Sequence, residues 1–264
     1  MRALWKGSIS FGLVHIPVKM YTATHEHDLK FVMLHKKDLS QVRYARICKV
    51  EEKEIPWDQI VKGYEYSPGE YVVLSDEDLK KFNQNKSKSI EILHFIRQDE
   101  IDTIYYDKPY FLEPEKNAAK AYNLLLEALE KSKKVGIAKF IIHNREHLAV
   151  IKPYENTIIL NELRYDAEMV KTKELDIPKE GKSSPQELSI ALKLIDHLTA
   201  AFKPKEYVDT YAEEVMEIIE QKAKGKKIHP KGQEQKPSKV HDIMSLLKES
   251  LKTPKPVKKR KKAL

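Results

Sequence analysis

The stretch "ISFGLVHIPVKMY" constrains the fold of this chain more than any other. Its apolar residues alternate as Ile9, Phe11 and Leu13, and then as Val14, Ile16, Val18 and Met20, so the period is two but its parity flips partway. A period of two is the mark of extended chain, because successive side chains point to opposite faces. The flip needs an inserted residue or two buried faces, and Gly12 is the natural place for a bulge or sharp bend of the kind that barrels use.

The first half of the chain continues in the same manner. "LKFVML", "VRYARI", "EYVVL", "SIEILHFI" and "TIYYDKPYFL" read as strands separated by polar turns such as "HKKDLSQ" and "RQDEID". Ser75 and Asp78 have the spacing of a capping box and predict a short helix. "EPEKNAAKAYNLLLEALEKSKK" predicts one clear helix, with Pro114 suited to its first turn and Ala118, Ala121, Tyr122, Leu125, Ala128 and Leu129 at helical spacing. "VGIAKFII", "HLAVIKP" and "NTIILNELRY" then read as a β-meander. One helix inserted into many strands points to a decorated barrel rather than to an alternating α/β fold.

Composition changes at "KELDIPKEGKSSP", which reads as a linker. "SPQELSIALKLIDHLTAAF" and "KEYVDTYAEEVMEIIEQKAKG" follow as two amphipathic helices joined at Pro204. The expected domains are 1–175 as core, 176–183 as linker, 184–224 as a helical region and 225–264 as a Lys-rich, largely disordered tail with one short helical pattern in "SKVHDIMSLLKESL".

Charge follows the same division. Residues 221–264 hold 15 Lys and Arg against three acids, while the preceding 220 residues hold 33 against 37, within a chain of net charge +8. A basic arm on a mildly acidic body seeks phosphate or an anionic surface. The single cysteine, Cys48, rules out an internal disulfide and suits the reducing cytoplasm. The polar breaks at His15, Pro17 and Lys19 argue against an export signal, and no run of about 18 apolar residues predicts a membrane span.

The search for catalytic motifs returns nothing in register. "GKSS" at Gly181 lacks the glycine that a phosphate-binding loop needs five residues earlier, where Asp176 stands. "GSISFG" does not form a nucleophile elbow, and there is no H-E-x-x-H. "HEHD" at 25–28 and Asp99, Glu100 and Asp102 in "RQDEID" supply metal-ligating side chains, but both lie in expected turns, where solvated charge is the default. We expect no enzyme, no metal and no cofactor. A metal-dependent nuclease using Asp99, Glu100 or Asp102, and a general architectural nucleic-acid binder, are the alternatives.

"WKGSISFGLVHIPVKMYTAT", "RYARICKVEEKEIPWDQIVKGYEY", "VVLSDEDL", "IYYDKPYFLEPEKNAAKAYNLLLEAL" and "KFIIHNREHLAVIKP", taken in order, resemble the prokaryotic Ku family over about residues 1–220. That resemblance implies a mixed, mainly β fold: a β-barrel core with an extended bridging arm and an inserted helix, followed by C-terminal helices and a disordered basic tail. It further implies a homodimeric ring around duplex DNA, binding to double-strand break ends in non-homologous end joining, and recruitment and stimulation of an ATP-dependent DNA ligase by the C-terminal region, here Ser184 to Lys224. Such a protein acts in the cytoplasm on the nucleoid and needs no membrane.

A ring would be lined by local basic patches. The expected contacts are Lys36, Lys37, Arg43 and Arg46 around one hairpin and Lys131, Lys133 and Lys134 after the long helix, with Lys255, Lys258, Lys259, Arg260, Lys261 and Lys262 in the tail. One departure is visible. Where some relatives carry a Cys-x-x-Cys pair, this chain has "CKVEE", with Glu51 in the second position, which argues against zinc there.

Overall fold

The structure, a computed structural model, describes residues 1–25, 29–75, 77–78, 88–143, 145–178 and 184–225. Contacts within the chain divide it into two compact units, Met1–Glu174 and Leu175–Leu264.

The opening stretch is a hairpin. β1 (Trp5–Phe11) and β2 (Val14–Thr22) pair antiparallel with Phe11 opposite Val14, Ile9 opposite Ile16 and Gly7 opposite Val18. Only Gly12 and Leu13 lie between them, Gly12 with φ +56° and Leu13 wholly exposed. In a two-residue hairpin, paired positions have opposite parity in number yet point to the same face. The parity flip is therefore the turn itself, and Gly12 supplies its positive φ rather than a bulge within a strand.

Five more strands complete the barrel: β5 (Ser89–Arg97), β6 (Tyr106–Pro114), β7 (Lys134–Ile142), β8 (Arg145–Tyr154) and β9 (Thr157–Leu163). The order around the closed sheet is β1-β2-β6-β9-β8-β7-β5, so the meander β7–β9 sits intact within it. Closure is made by a short parallel seam between β1 and β5, with Ser8 opposite Ser89, Ile9 opposite Ile90 and Ser10 opposite Glu91. Beside this seam, Gly7 leaves room for the Trp5 ring. A Cβ at Gly7 would stand 2.2 Å from both that ring and the Lys88 carbonyl, and the indole N–H of Trp5 donates to the Ile141 carbonyl at 2.9 Å.

Alternation sorts the strand side chains. Ile9, Ile16, Val18, Met20, Ile90, Leu112, Ala138, Phe140, Ile151, Ile158 and Leu160 fill the inside, as a small barrel requires. Val135, Val150 and Leu163, on the opposite parity, form a second cluster with Ile101, Tyr105 and Ile137. The helix α1 (Ala119–Ser132) adds Tyr122, Leu125 and Leu129 to the inner core. It begins later than the sequence suggests, because Pro114 ends β6 instead of starting the helix.

The Tyr122 hydroxyl locks the helix to the sheet: it donates to the Leu112 carbonyl at 2.6 Å, accepts from the Ile158 N–H at 2.7 Å and lies 2.9 Å from Thr157 Oγ1. Burial pushes its phenol pKa up, so it stays neutral and able to donate. Tyr122→Phe removes the hydroxyl that the buried Ile158 N–H bonds and leaves the Leu112 carbonyl with the longer 3.3 Å bond from Thr157 Oγ1, and it is expected to cost about 2 kcal/mol of stability in chemical denaturation. An unchanged midpoint and slope would mean that these groups find other partners.

Between β2 and β5 the chain makes a long excursion, and here the expected strands differ from the structure. "LKFVML" and "VRYARI" do not form strands. Among the described residues they carry single bridges, Leu34 with Gln41 and Ile47 with Glu54, flanked by backbone bonds from Val42 N–H to Met33 O and from Ile55 N–H to Arg46 O. Each bridge closes a tight turn of the same design. The His35 N–H donates to Ser40 O and Leu39 N–H to His35 O, and thirteen residues on Cys48 N–H donates to Lys53 O and Glu52 N–H to Cys48 O. Leu39 and Glu52 hold φ +57° and +56° at matching positions. β3 (Lys62–Ser67) and β4 (Glu70–Leu74) then form a separate two-stranded ribbon. The capping box is present, with Ser75 and Asp78 exchanging backbone and side-chain hydrogen bonds, but most of the helix it would start lies outside the described residues.

In the second unit, α2 (Pro185–Leu198) starts at a Ser184–Glu187 capping box with Pro185 in its first turn, and α3 (Thr210–Ala223) is capped by Asp209. Neither buries a residue. The tail cations Lys255 to Lys262 and the pattern at 238–251 lie outside the described residues.

Candidate nucleic-acid interface

The cations expected to face DNA form two groups in the first unit. Lys36 and Lys37 sit at the apex of the first tight turn, exposed and without an ion pair among the described residues. The one acid of that turn, Asp38, is engaged locally. It accepts from the Ser40 N–H, the Ser40 hydroxyl and His35, and the Ser40 N–H bond chiefly holds its carboxyl below the usual range. Arg43 stands 3.8 Å from Glu54, a loose surface pair, and Arg46 lies over the Trp57 ring at 4.2 Å.

The excursion is electrically lopsided. Residues 29–50 carry six Lys and Arg against Asp38 alone, whereas residues 51–74 carry Lys53 and Lys62 against six acids. Its first half thus carries net positive charge and its second half net negative charge.

The second group lies where α1 gives way to β7. Lys133 is the left-handed cap of the helix, φ +54°, and Lys134 begins the strand. Both line a cleft of about 410 Å³ with Gln98, Pro153 and the acids Glu130 and Glu155. Lys131 points into an i,i+4 pair with Glu127 at 2.6 Å, a hydrogen bond that raises its pKa and makes it the least available of the three.

The acidic stretch considered for metal chemistry is consumed by local bonds. Asp99 pairs with the Arg97 guanidinium, Glu100 accepts the Arg97 N–H, and Asp102 accepts the Ile104 N–H. Another polar cleft, of about 220 Å³, is internally matched: Arg145 meets Glu168 at 3.0 Å, Arg164 meets Asp107 at 3.2 Å, and His147 meets Glu162. Among the described residues no three His, Cys, Asp or Glu side chains are grouped to hold a metal, and no helix is long and apolar enough to cross a membrane.

Sequence reasoning missed an exposed apolar surface on the ribbon. Tyr64, Tyr66, Tyr71, Val72 and Val73 on β3 and β4 are about half to two-thirds exposed, and the ribbon shows apolar side chains on both faces. The signal was present in "GYEYSPGEYVVL", where aromatic and aliphatic residues alternate around a turn. An isolated two-stranded ribbon is marginal in water, so a surface of this kind needs cover.

A closed barrel of mixed strands interrupted by a long, exposed, charge-divided excursion is a distinctive architecture. It matches a family model described as the Ku70/Ku80 beta-barrel domain over residues 10–190. A "Non-homologous end joining protein Ku" from Opitutus terrae is 41% identical over 254 residues, covering 95% of this chain and 91% of that protein. The Coxiella burnetii protein of the same name is 41% identical over 265 residues, at 98% and 97% coverage, and the Bacillus subtilis one is 41% identical over 254 residues, at 95% and 82%. The chain belongs to the Ku family.

Proposed function

We propose that this chain is a homodimeric ring clamp that binds double-stranded DNA ends without reading sequence, and that it recruits and stimulates an ATP-dependent DNA ligase in non-homologous end joining. The observation that carries the reading is the excursion between β2 and β5: a segment with its apolar side chains uncovered and its charge divided between two halves. A two-fold partner covers such a surface with its own copy, since in an isologous contact the same patch serves both subunits. The basic half, with Lys36, Lys37, Arg43 and Arg46, faces the duplex together with Lys133 and Lys134, and these contacts position without specifying.

The matches to relatives named for non-homologous end joining support the pathway, and the ring supplies the preference for ends, because a closed ring threads only over a free terminus. A clamp needs no catalytic residue of its own. The basic tail adds sequence-blind affinity. In the second unit, Leu188, Leu192, Ile195 and Leu198 make one exposed stripe on α2, and Tyr211, Ile218 and Ile219 make another on α3, which suits a docking face for the ligase.

The test is a topological trap. Protein loaded on linear duplex, which is then sealed into a circle, is expected to stay bound through a salt rise that strips it from the unsealed control. Equal loss from both would rule out encirclement. In the same reaction Leu192→Asp is expected to remove stimulation of the ligase and leave trapping intact, and undiminished stimulation would place the ligase elsewhere.

A further inference from the structure

We propose that Trp57, with Arg46 stacked on it, is a binding site for an unpaired nucleobase of a single-stranded overhang at the DNA end. The proposal rests on the reading of the basic half of the excursion as the DNA-facing one. It adds a base-contacting site to a clamp that otherwise meets only the backbone.

Trp57 is 69% exposed, yet it is not a loose side chain on a loose segment. Pro56 precedes it with φ −67°, the Ile55 N–H donates to the Arg46 carbonyl at 2.8 Å, and Gln59 and Ile60 close a 3-10 turn back onto Pro56 and Trp57. The backbone that carries the indole is therefore bonded to the backbone that carries Arg46. The guanidinium sits 4.2 Å from the ring centroid, in cation–π range.

The stack presents planar, polarised surfaces beside a segment of five net positive charges. A base and its own phosphate match that pair of features: the base stacks on an aromatic or guanidinium plane while the phosphate meets Arg43, Lys36 or Lys37. Tyr44, two residues from Arg46, is 88% exposed and offers a second ring to a following base. Bases inside a duplex are already stacked, so the ligand is the unpaired strand. The ribbon aromatics Tyr64 and Tyr71 differ in this respect, since no cation is stacked on them among the described residues, whereas Trp57 carries Arg46 from the basic half on its ring.

The test uses the full-length protein and duplexes closed at one terminus by a hairpin. The open terminus is blunt, carries a short dT overhang, or carries an overhang of the same length made of abasic sites, which keeps the phosphates and removes the bases. Binding is read by anisotropy at one salt concentration and tryptophan emission is read alongside. The chain has two tryptophans, and Trp5 is tied down by its bond to Ile141, so a change in emission reports Trp57.

The dT end is expected to bind about tenfold tighter than the abasic end and to quench emission, as one stacked base predicts. Trp57→Ala makes the two overhangs equal and leaves blunt-end affinity and sedimentation mass as in the wild type. Trp57→Phe retains part of the preference. Equal binding of dT and abasic overhangs by the wild type, with emission unmoved, overturns the base site while blunt-end binding keeps the clamp reading alive. A Trp57→Ala protein that sediments as a smaller species also overturns it, by assigning the ring to the contact between two copies. Absence of binding to any end strikes the underlying DNA-end reading instead.

Discussion

Replacing Tyr64 and Val72 together with aspartate converts the proposed dimer into monomers and removes binding to DNA ends. The two residues lie opposite each other on one face of the β3–β4 ribbon, 66% and 48% exposed in the single chain, and neither belongs to the barrel core. In the proposed dimer they would be central. Truncating a well-packed aromatic anchor such as Tyr64 at the centre of an interface costs about 2 kcal/mol or more, and a carboxylate buried there at either position adds about as much again in desolvation. Two such changes lower association by at least a thousandfold, beyond what micromolar protein compensates. The barrel core is untouched, so the thermal transition of the barrel stays in place. Sedimentation velocity decides the matter. A variant that remains dimeric, with Tyr71→Asp/Val73→Asp on the other face dimeric as well, would show that the ribbon is not the contact.

Ending the chain at Gly225 removes thirteen Lys and Arg and three acids, and it is expected to flatten the salt dependence of binding more than any change in the barrel. Each phosphate contact on duplex DNA contributes roughly −0.9 to the slope of log affinity against log salt. With half of the tail cations engaged, the slope falls in magnitude by about 6. The truncated protein binds more weakly at low salt and loses less as salt rises. Unchanged slopes would mean that the tail stays off the DNA and that the body carries the electrostatic contact.

The strands of the barrel were readable because each must keep one face dry. β5 and the meander β7–β9 follow from alternation alone, and α1 follows from its 3.6-residue period. The excursion misled for the converse reason. "LKFVML" and "VRYARI" are rich in strand formers, but neither has a partner strand along its length, and one bridge each does not make a ladder. Pro114 was ambiguous by nature, since a proline that opens a helix serves equally to end a strand at the edge of pairing. The closure of β1 on β5 joins segments about 80 residues apart through three residue pairs, a contact that no local pattern encodes.

The site was legible as charge but not as surroundings. Sequence marks Lys36, Lys37, Arg43, Arg46, Lys131, Lys133 and Lys134 alike, and only the structure separates Lys131, held by Glu127, from Lys36 and Lys37 at the tip of a turn. It also brings Trp57 onto Arg46 across ten intervening residues, a juxtaposition that depends on the tight turn at Cys48–Lys53.

The most direct measurement of the central claim is competition at one fixed salt concentration between closed circular and linearised forms of the same plasmid, for the full chain and for the truncation ending at Gly225. The account predicts that both proteins prefer the linear form, because end preference belongs to the ring and the tail only raises affinity. If circle and line compete equally for the truncation, the body is not an end-loading clamp, and the contradiction reaches the account at its root.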